Sequence, residues 1–129
     1  MILDSSALVA ILFKEADAHI YLRAVAGAEF CRISAANYVE AAMVIEGQTH
    51  PGGGNNLNAF LRNANIIIEP VTVEQAHLAR QAFLDYGKGR HAAGLNFGDC
   101  FAYALSKATR EPLLFKGVDF AQTDVTAAL

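Results

Sequence analysis

Apolar residues in this chain fall into two kinds of run: short blocks of two to four, and longer stretches in which they recur every three or four positions. Ile2-Leu3 is the first short block and predicts a buried strand that ends at Asp4. Ser5 and Ser6 can then cap a helix over Ala7 to Phe13, because a serine oxygen can accept from the first free amides of a helix. A second helix is predicted from Ala16 to Ala26. A strand follows from Glu29 to Ile33, with Phe30 and Ile33 as its apolar positions. Ser34 is placed to cap a helix through Tyr38, Val39, Ala42, Met43 and Ile45.

The segment from Gly47 to Asn56, with His50-Pro51-Gly52-Gly53-Gly54 inside it, breaks the pattern but is too short for a domain linker. A helix resumes over Leu57 to Ala64. Ile66-Ile67-Ile68 is wholly β-branched and lies between Asn65 and Pro70, which predicts a strand. Thr72 caps a long helix with Val73, Ala76, Leu78, Ala79 and Phe83 as its apolar positions. A glycine-broken loop spans Gly87 to Gly94, a helix runs from about Phe97 to Thr109, and Leu113-Leu114-Phe115 forms another strand. A short strand around Val125 closes the series. Short apolar strands alternating with helices predict an α/β fold with a parallel sheet covered on both faces. With 129 residues and no internal repeat, residues 1–129 are read as a single domain.

Composition narrows the class. A chain that is 53% hydrophobic and 18% charged can build a packed core and does not read as disordered. No apolar run approaches the ~20 residues of a membrane span. The opening Met-Ile-Leu-Asp lacks the basic stretch and long apolar core of a secretory signal, so a cytoplasmic protein is expected. Cys31 and Cys100 match neither a metal knuckle nor a redox pair and are expected as buried free thiols. The net charge of −3 argues against a broad basic footprint. Any contact with nucleic acid would be local, and Lys88-Gly89-Arg90-His91 is the densest basic stretch. Arg90 is its candidate phosphate contact; a solvated loop is the competing reading.

Candidate chemistry lies in the acids. Asp4 closes the first strand, Glu40 lies inside an apolar helix pattern, Asp99 sits in the first turn of a helix, and Asp119 follows the strand at Leu113. In an open parallel sheet, ligands bind beyond the carboxyl ends of the strands, where these four could meet. Carboxylates gathered in apolar surroundings are costly unless a cation joins them, and an all-oxygen set suits Mg2+ or Mn2+. Such a site resembles a one- or two-metal phosphodiesterase centre, in which a metal lowers the pKa of an attacking water and no side-chain nucleophile is required. Each acid also has a plainer role. Asp4 could cap a helix, Glu40 could face solvent, Asp99 could serve the helix dipole, and Asp119 could be a loop acid; Asp124 reads as structural. His19, His50, His77 and His91 show no zinc spacing. There is no phosphate-cradling glycine loop and no serine-nucleophile elbow.

Three segments are more specific: Met1-Ile-Leu-Asp-Ser-Ser-Ala-Leu, Leu95-Asn-Phe-Gly-Asp-Cys-Phe-Ala-Tyr-Ala-Leu, and Leu113-Leu-Phe-Lys-Gly-Val-Asp-Phe with Thr123-Asp124. Together they resemble the PIN-domain ribonucleases of the VapC toxin type, over essentially the whole chain. The resemblance implies a three-layer α/β/α PIN fold with a central parallel sheet and Mg2+- or Mn2+-dependent endoribonuclease activity. It implies a toxin's place in a toxin–antitoxin pair, with RNA as substrate, a cognate antitoxin that blocks the site, and commonly a homodimer. It carries the metal-binding acids onto Asp4, Glu40 and Asp99, and a water-positioning hydroxyl onto Ser6. Many PIN proteins have a further aspartate where this chain has Gly117, which leaves Asp119 as the substitute; some relatives of this tail also carry an acid where this chain has Val118, which keeps one-metal chemistry open. Two other readings stand beside it: a PIN domain that binds RNA or antitoxin without cutting, and a phosphoryl-transfer α/β domain. The second is disfavoured because Ile66 to Ile68 runs into Glu69-Pro70 and Ser6 stands where a phosphatase pattern wants a second aspartate.

Overall fold

The computed structural model describes residues 1–48 and 53–129. Four short strands build one sheet: β1 (Ile2–Leu3), β2 (Cys31–Ser34), β3 (Ile66–Glu69) and β4 (Leu113–Leu114), in the order β3-β2-β1-β4. All three pairings are parallel, with Ile2 opposite both Arg32 and Leu113. Parallel neighbours need crossovers, and helices supply them: α1 (Ser5–Leu12), α2 (Ala18–Gly27), α3 (Ala35–Gln48), α4 (Gly53–Asn63), α5 (Val73–Tyr86) and α6 (Phe97–Thr109).

Side chains alternate across a strand, so the two residues of β1 point to opposite faces. Leu3 and Leu114 enter a core shared with Leu8, Ile11, Tyr21, Ile45, Leu57 and Leu61, which places α1 to α4 over one face. Ile2 and Leu113 enter a second core with Ala79, Ala82, Leu95, Tyr103 and Leu105, which places α5 and α6 over the other. The result is the expected three-layer α/β/α arrangement. Short, wholly buried strands at its centre set Asp4 at the carboxyl end of β1, where α1 begins.

Several local expectations change. The first helix begins at Ser5, and its cap is Asp4, whose carboxylate accepts from the Ser6 amide; the serines lie inside the helix. The second helix starts at Ala18 because Lys14, in the left-handed region at φ 53°, ends α1 in a turn. The second strand is Cys31–Ser34, which leaves Phe30 outside it and exposed. β3 is a sheet edge, so only Ile66 of its three isoleucines is buried, while Ile67 and Ile68 are 45% and 44% exposed. Helix reaches further into the expected central break from both sides. α3 runs through Gly47 and α4 begins at Gly53, while residues 49–52, His50 among them, lie outside the described residues. No strand forms at Val125. A 3-10 turn at Phe120–Gln122 precedes a single parallel bridge between Ala127 and Leu113. The helices at Thr72 and at Phe97–Thr109 form as expected, and both cysteines are free and buried.

Candidate active site

Asp4 sits where β1 gives way to α1 and is only 3% exposed. Its Oδ2 is saturated from within the chain: the Ser6 amide donates at 2.9 Å and Ser6 Oγ at 2.5 Å. Its Oδ1 is buried and has no hydrogen-bond partner among the described residues. An unpaired buried carboxylate oxygen is costly, and burial accordingly pushes the Asp4 pKa upward, with the Glu40 charge adding to the shift. Ser6 Oγ also accepts from the Lys116 amide at 3.0 Å, which ties the segment after β4 to the first acid.

Glu40 reaches the same edge from α3. Its Oε1 accepts from Ser5 Oγ and, at 3.3 Å, from Asn37 Nδ2. Asn37 is fully buried and donates as well to the Gly98 carbonyl at 2.9 Å, bracing α3 against the start of α6. Glu40 Oε2 lies over the α-carbon of Gly98, where an added Cβ would stand 1.9 Å from it. Only glycine lets the carboxylate lie there.

Asp99 is the third residue of α6 and closes a capping box. Asn96 Oδ1 accepts from the Asp99 amide at 2.9 Å, and the Asn96 amide donates to Asp99 Oδ2 at 3.1 Å. Burial raises its pKa to about 7, with Asp4, Asp119 and Glu40 each adding to the rise. Asp119 is exposed beside the 3-10 turn and makes no side-chain cap. The position before it that would carry an acid in many PIN proteins is Gly117, whose φ of 108° L side chains rarely adopt. The backbone path taken here therefore favours glycine over aspartate at 117.

Asp99 thus lies within electrostatic reach of Asp4, Glu40 and Asp119, and Asp4 within reach of Glu40, with Ser6 bonded to Asp4. No salt bridge reaches any of the four among the described residues. Lys116, whose backbone joins the cluster, turns its ammonium away to Glu15 and Asp17. Nor do any three Asp, Glu, His or Cys side chains among the described residues already converge on one point at ligating distance. The donor set nonetheless fits a hard divalent cation: it is all oxygen, one of its buried atoms is orphaned, and burial raises the pKa of Asp4 and Asp99.

Arg90 is not part of this group. Its Nε donates to the Leu84 carbonyl at 3.3 Å and its guanidinium lies 5.7 Å from the centre of the Phe83 ring. Asp124 is bound elsewhere, accepting from Tyr103 Oη at 2.6 Å and from Lys107 Nζ at 2.9 Å. Its pKa is lowered, chiefly by the tyrosine bond. An apolar hollow of about 540 Å3 between α5 and α6, lined by Ala79, Phe83, Leu95, Phe97 and Phe101, contains none of the four acids. Ser5, Asn37 and Gly98 were not legible as site residues in the sequence. The sole local hint was that Asn37 precedes Glu40 by one helical turn, and Gly98 stands directly before Asp99.

The chain as a whole is similar to known proteins. The PIN domain model matches residues 1–125. The chain is 49% identical to ribonuclease VapC28 of Mycobacterium tuberculosis, covering 100% of this chain and 98% of that protein. It is 50% identical to a ribonuclease VapC of Mycolicibacterium smegmatis, covering 98% of each. Among solved structures, it superposes with a TM-score of 0.78 and 16% identity on M. tuberculosis VapC20, described as a Sarcin-Ricin loop cleaving toxin, over 97% of this chain and 95% of that one. A toxin-antitoxin complex from Klebsiella pneumoniae matches with a TM-score of 0.76 and 16% identity, over 99% of this chain and 97% of that one.

Proposed function

The chain belongs to the PIN domain family, and from that premise we propose that it is a VapC-type endoribonuclease, the toxin of a toxin–antitoxin pair, that cuts RNA with a divalent cation held by Asp4, Glu40 and Asp99. The observation that carries the site assignment is the set of uncommitted oxygens at the carboxyl end of β1. Asp4 Oδ1 and Glu40 Oε2 each have a partner oxygen tied to protein donors and are themselves free of donors among the described residues.

When bound, the cation supplies Lewis acidity, easing deprotonation of a water and offsetting negative charge that builds on the phosphate. The rest falls to the chain. Asp4 and Glu40 would present one oxygen each to the cation, and Asp99, whose pKa burial raises to about 7, would hold it in its ionised form. Ser6 holds Asp4 and the Lys116 segment together, which keeps Asp119 beside the cluster. Asp119 is proposed as the outer acid of the site. Mg2+ is the proposed ion and Mn2+ the substitute, since both accept an all-oxygen set. The proposed partners are an RNA substrate, a cognate antitoxin and a second copy of the chain. No helix among the described residues is long and apolar enough to cross a membrane.

The test is RNA cleavage by the purified, antitoxin-free protein with Mg2+, with Mn2+ and with chelator, beside Asp4→Asn as a control for contaminating nuclease. Metal-dependent cutting that disappears in Asp4→Asn and Asp99→Asn is the expected result. Full activity in either variant overturns the site assignment. RNA binding without cutting, indifferent to chelator, would instead make the chain a non-cleaving member of the family.

A further inference from the structure

We propose that Ser5 and Asn37 are positioning residues that fix which oxygen of Glu40 faces the metal, and that Gly98 is the slot that admits it. The inference rests on the nuclease reading above and concerns how the same site is set. Both donors to Glu40, Ser5 Oγ from α1 and Asn37 Nδ2 from α3, end on Oε1. Oε2 is left free of donors among the described residues, and the carboxyl as a whole, with Oε2 nearest, lies over Gly98, one residue before Asp99. Asn37 cannot drift from this duty, because it is fully buried and its amide also bonds the Gly98 carbonyl.

The same division appears at the neighbouring acids. Ser6 occupies Asp4 Oδ2 and leaves Oδ1 unpaired, and the Asn96 amide occupies Asp99 Oδ2. A carboxylate with one oxygen engaged offers the other singly, which limits it to one position around the cation. A small ion that demands near-ideal octahedral geometry and keeps several waters is served by single oxygens better than by chelating carboxylates. Donors behind a ligand commonly govern metal affinity about 10–100-fold.

Gly98 completes the device sterically. A methyl there meets the tip of the Glu40 side chain, a flexible group that can swing aside at little cost to the fold. The displacement would fall on the ligand and not on the core. Gly98→Ala and Ser5→Ala therefore separate a positioning role from a structural one, and neither residue is itself a ligand.

The experiment measures Mn2+ affinity from the spin-resonance signal of free Mn2+, the melting temperature of the chelated protein, and kcat and KM for RNA. Ser5→Ala, Ser5→Thr and Gly98→Ala are compared with wild type and with Asp4→Asn. Ser5→Ala and Gly98→Ala are expected to weaken Mn2+ binding about 10–100-fold, with chelated melting close to wild type and the loss in cleavage falling on kcat. Ser5→Thr, which keeps the hydroxyl, is expected to bind Mn2+ nearly as wild type does. If wild type binds Mn2+, Asp4→Asn does not, and both Ser5→Ala and Gly98→Ala bind as wild type, the positioning proposal fails while the nuclease reading stands. If wild type itself binds no Mn2+, the nuclease reading fails first and the positioning proposal with it.

Discussion

Replacing Asp99 with asparagine should stabilise the metal-free protein at neutral pH while abolishing its activity. The carboxyl titrates near 7 in the fold against a reference of 3.8, chiefly because it is desolvated. Between those values the unfolded chain carries an ionised Asp99 while the folded chain retains the proton. The folded state then binds more protons, so this residue's contribution to stability falls as pH rises through the window and is lowest above about 7. Three pKa units at ~1.4 kcal/mol each set an upper limit of ~4 kcal/mol. The side chain is partly solvent-exposed, and screening brings the figure to ~2 kcal/mol. Asparagine keeps an acceptor for the Asn96 amide but forgoes the favourable charge at the helix start, a loss of ~0.5 kcal/mol. For a chain of this length, ~1.5–2 kcal/mol corresponds to a melting shift of about 5–10 °C.

The assay is thermal unfolding in chelator from about pH 4 to pH 8, followed by circular dichroism, for wild type and Asp99→Asn. The variant should melt close to wild type at the acid end and about 5–10 °C above it at the alkaline end. Saturating Mn2+ at pH 8 should reverse the order, because only wild type gains binding energy. A gap that does not change with pH, or one in which wild type gains as pH rises, would refute the reasoning.

Other expectations follow from the same geometry. Tyr103→Phe removes a short bond to the Asp124 carboxylate and should cost ~1–3 kcal/mol in denaturant unfolding while leaving Mn2+ affinity unchanged. Asn96→Ala breaks the capping box of α6 and should cost ~1 kcal/mol, read as a lower denaturation midpoint with an unaltered slope. Leu3→Ala should cost ~3 kcal/mol by opening a cavity in the core beneath α1, read in the same denaturant assay. Arg90→Ala should leave RNA affinity unchanged across a salt series, since its guanidinium is engaged by Leu84 and Phe83; a weaker affinity with a shallower salt slope would restore Arg90 as a phosphate contact.

The strands and most helices were readable because each carries its own signal: Ile2-Leu3 and Leu113-Leu114 as short apolar blocks, Thr72 as a cap, the apolar periodicity of α6. Asp4 was readable because an acid ending an apolar block is unusual. What stayed hidden depends on partners far along the chain. Asp4 and the two serines after it are all good caps, and only the backbone path decides that the aspartate takes the role. The exposure of Ile67 and Ile68 follows from the edge position of β3, which no run of isoleucines announces. Asn37 and Gly98 acquire their meaning only when α3 meets α6, since a buried amide and a missing methyl have no signature in one dimension.

The strand order also governs when the site comes into being. Synthesis delivers Asp4 first, but β1 lies between β2 and β4, and its pairing with β4 joins Ile2 to Leu113. Contacts so distant in sequence form late, after the intervening loop has been closed. The Lys116 amide that reaches Ser6, and Asp119 after it, emerge later still. A growing chain can fold α1 to α4 against β1 and β2, bringing Asp4 and Glu40 together while Asp99 and Asp119 are still to join them. The full set of acids is therefore complete only after the residues beyond β4 have been made, which places the site among the last parts of the fold to form.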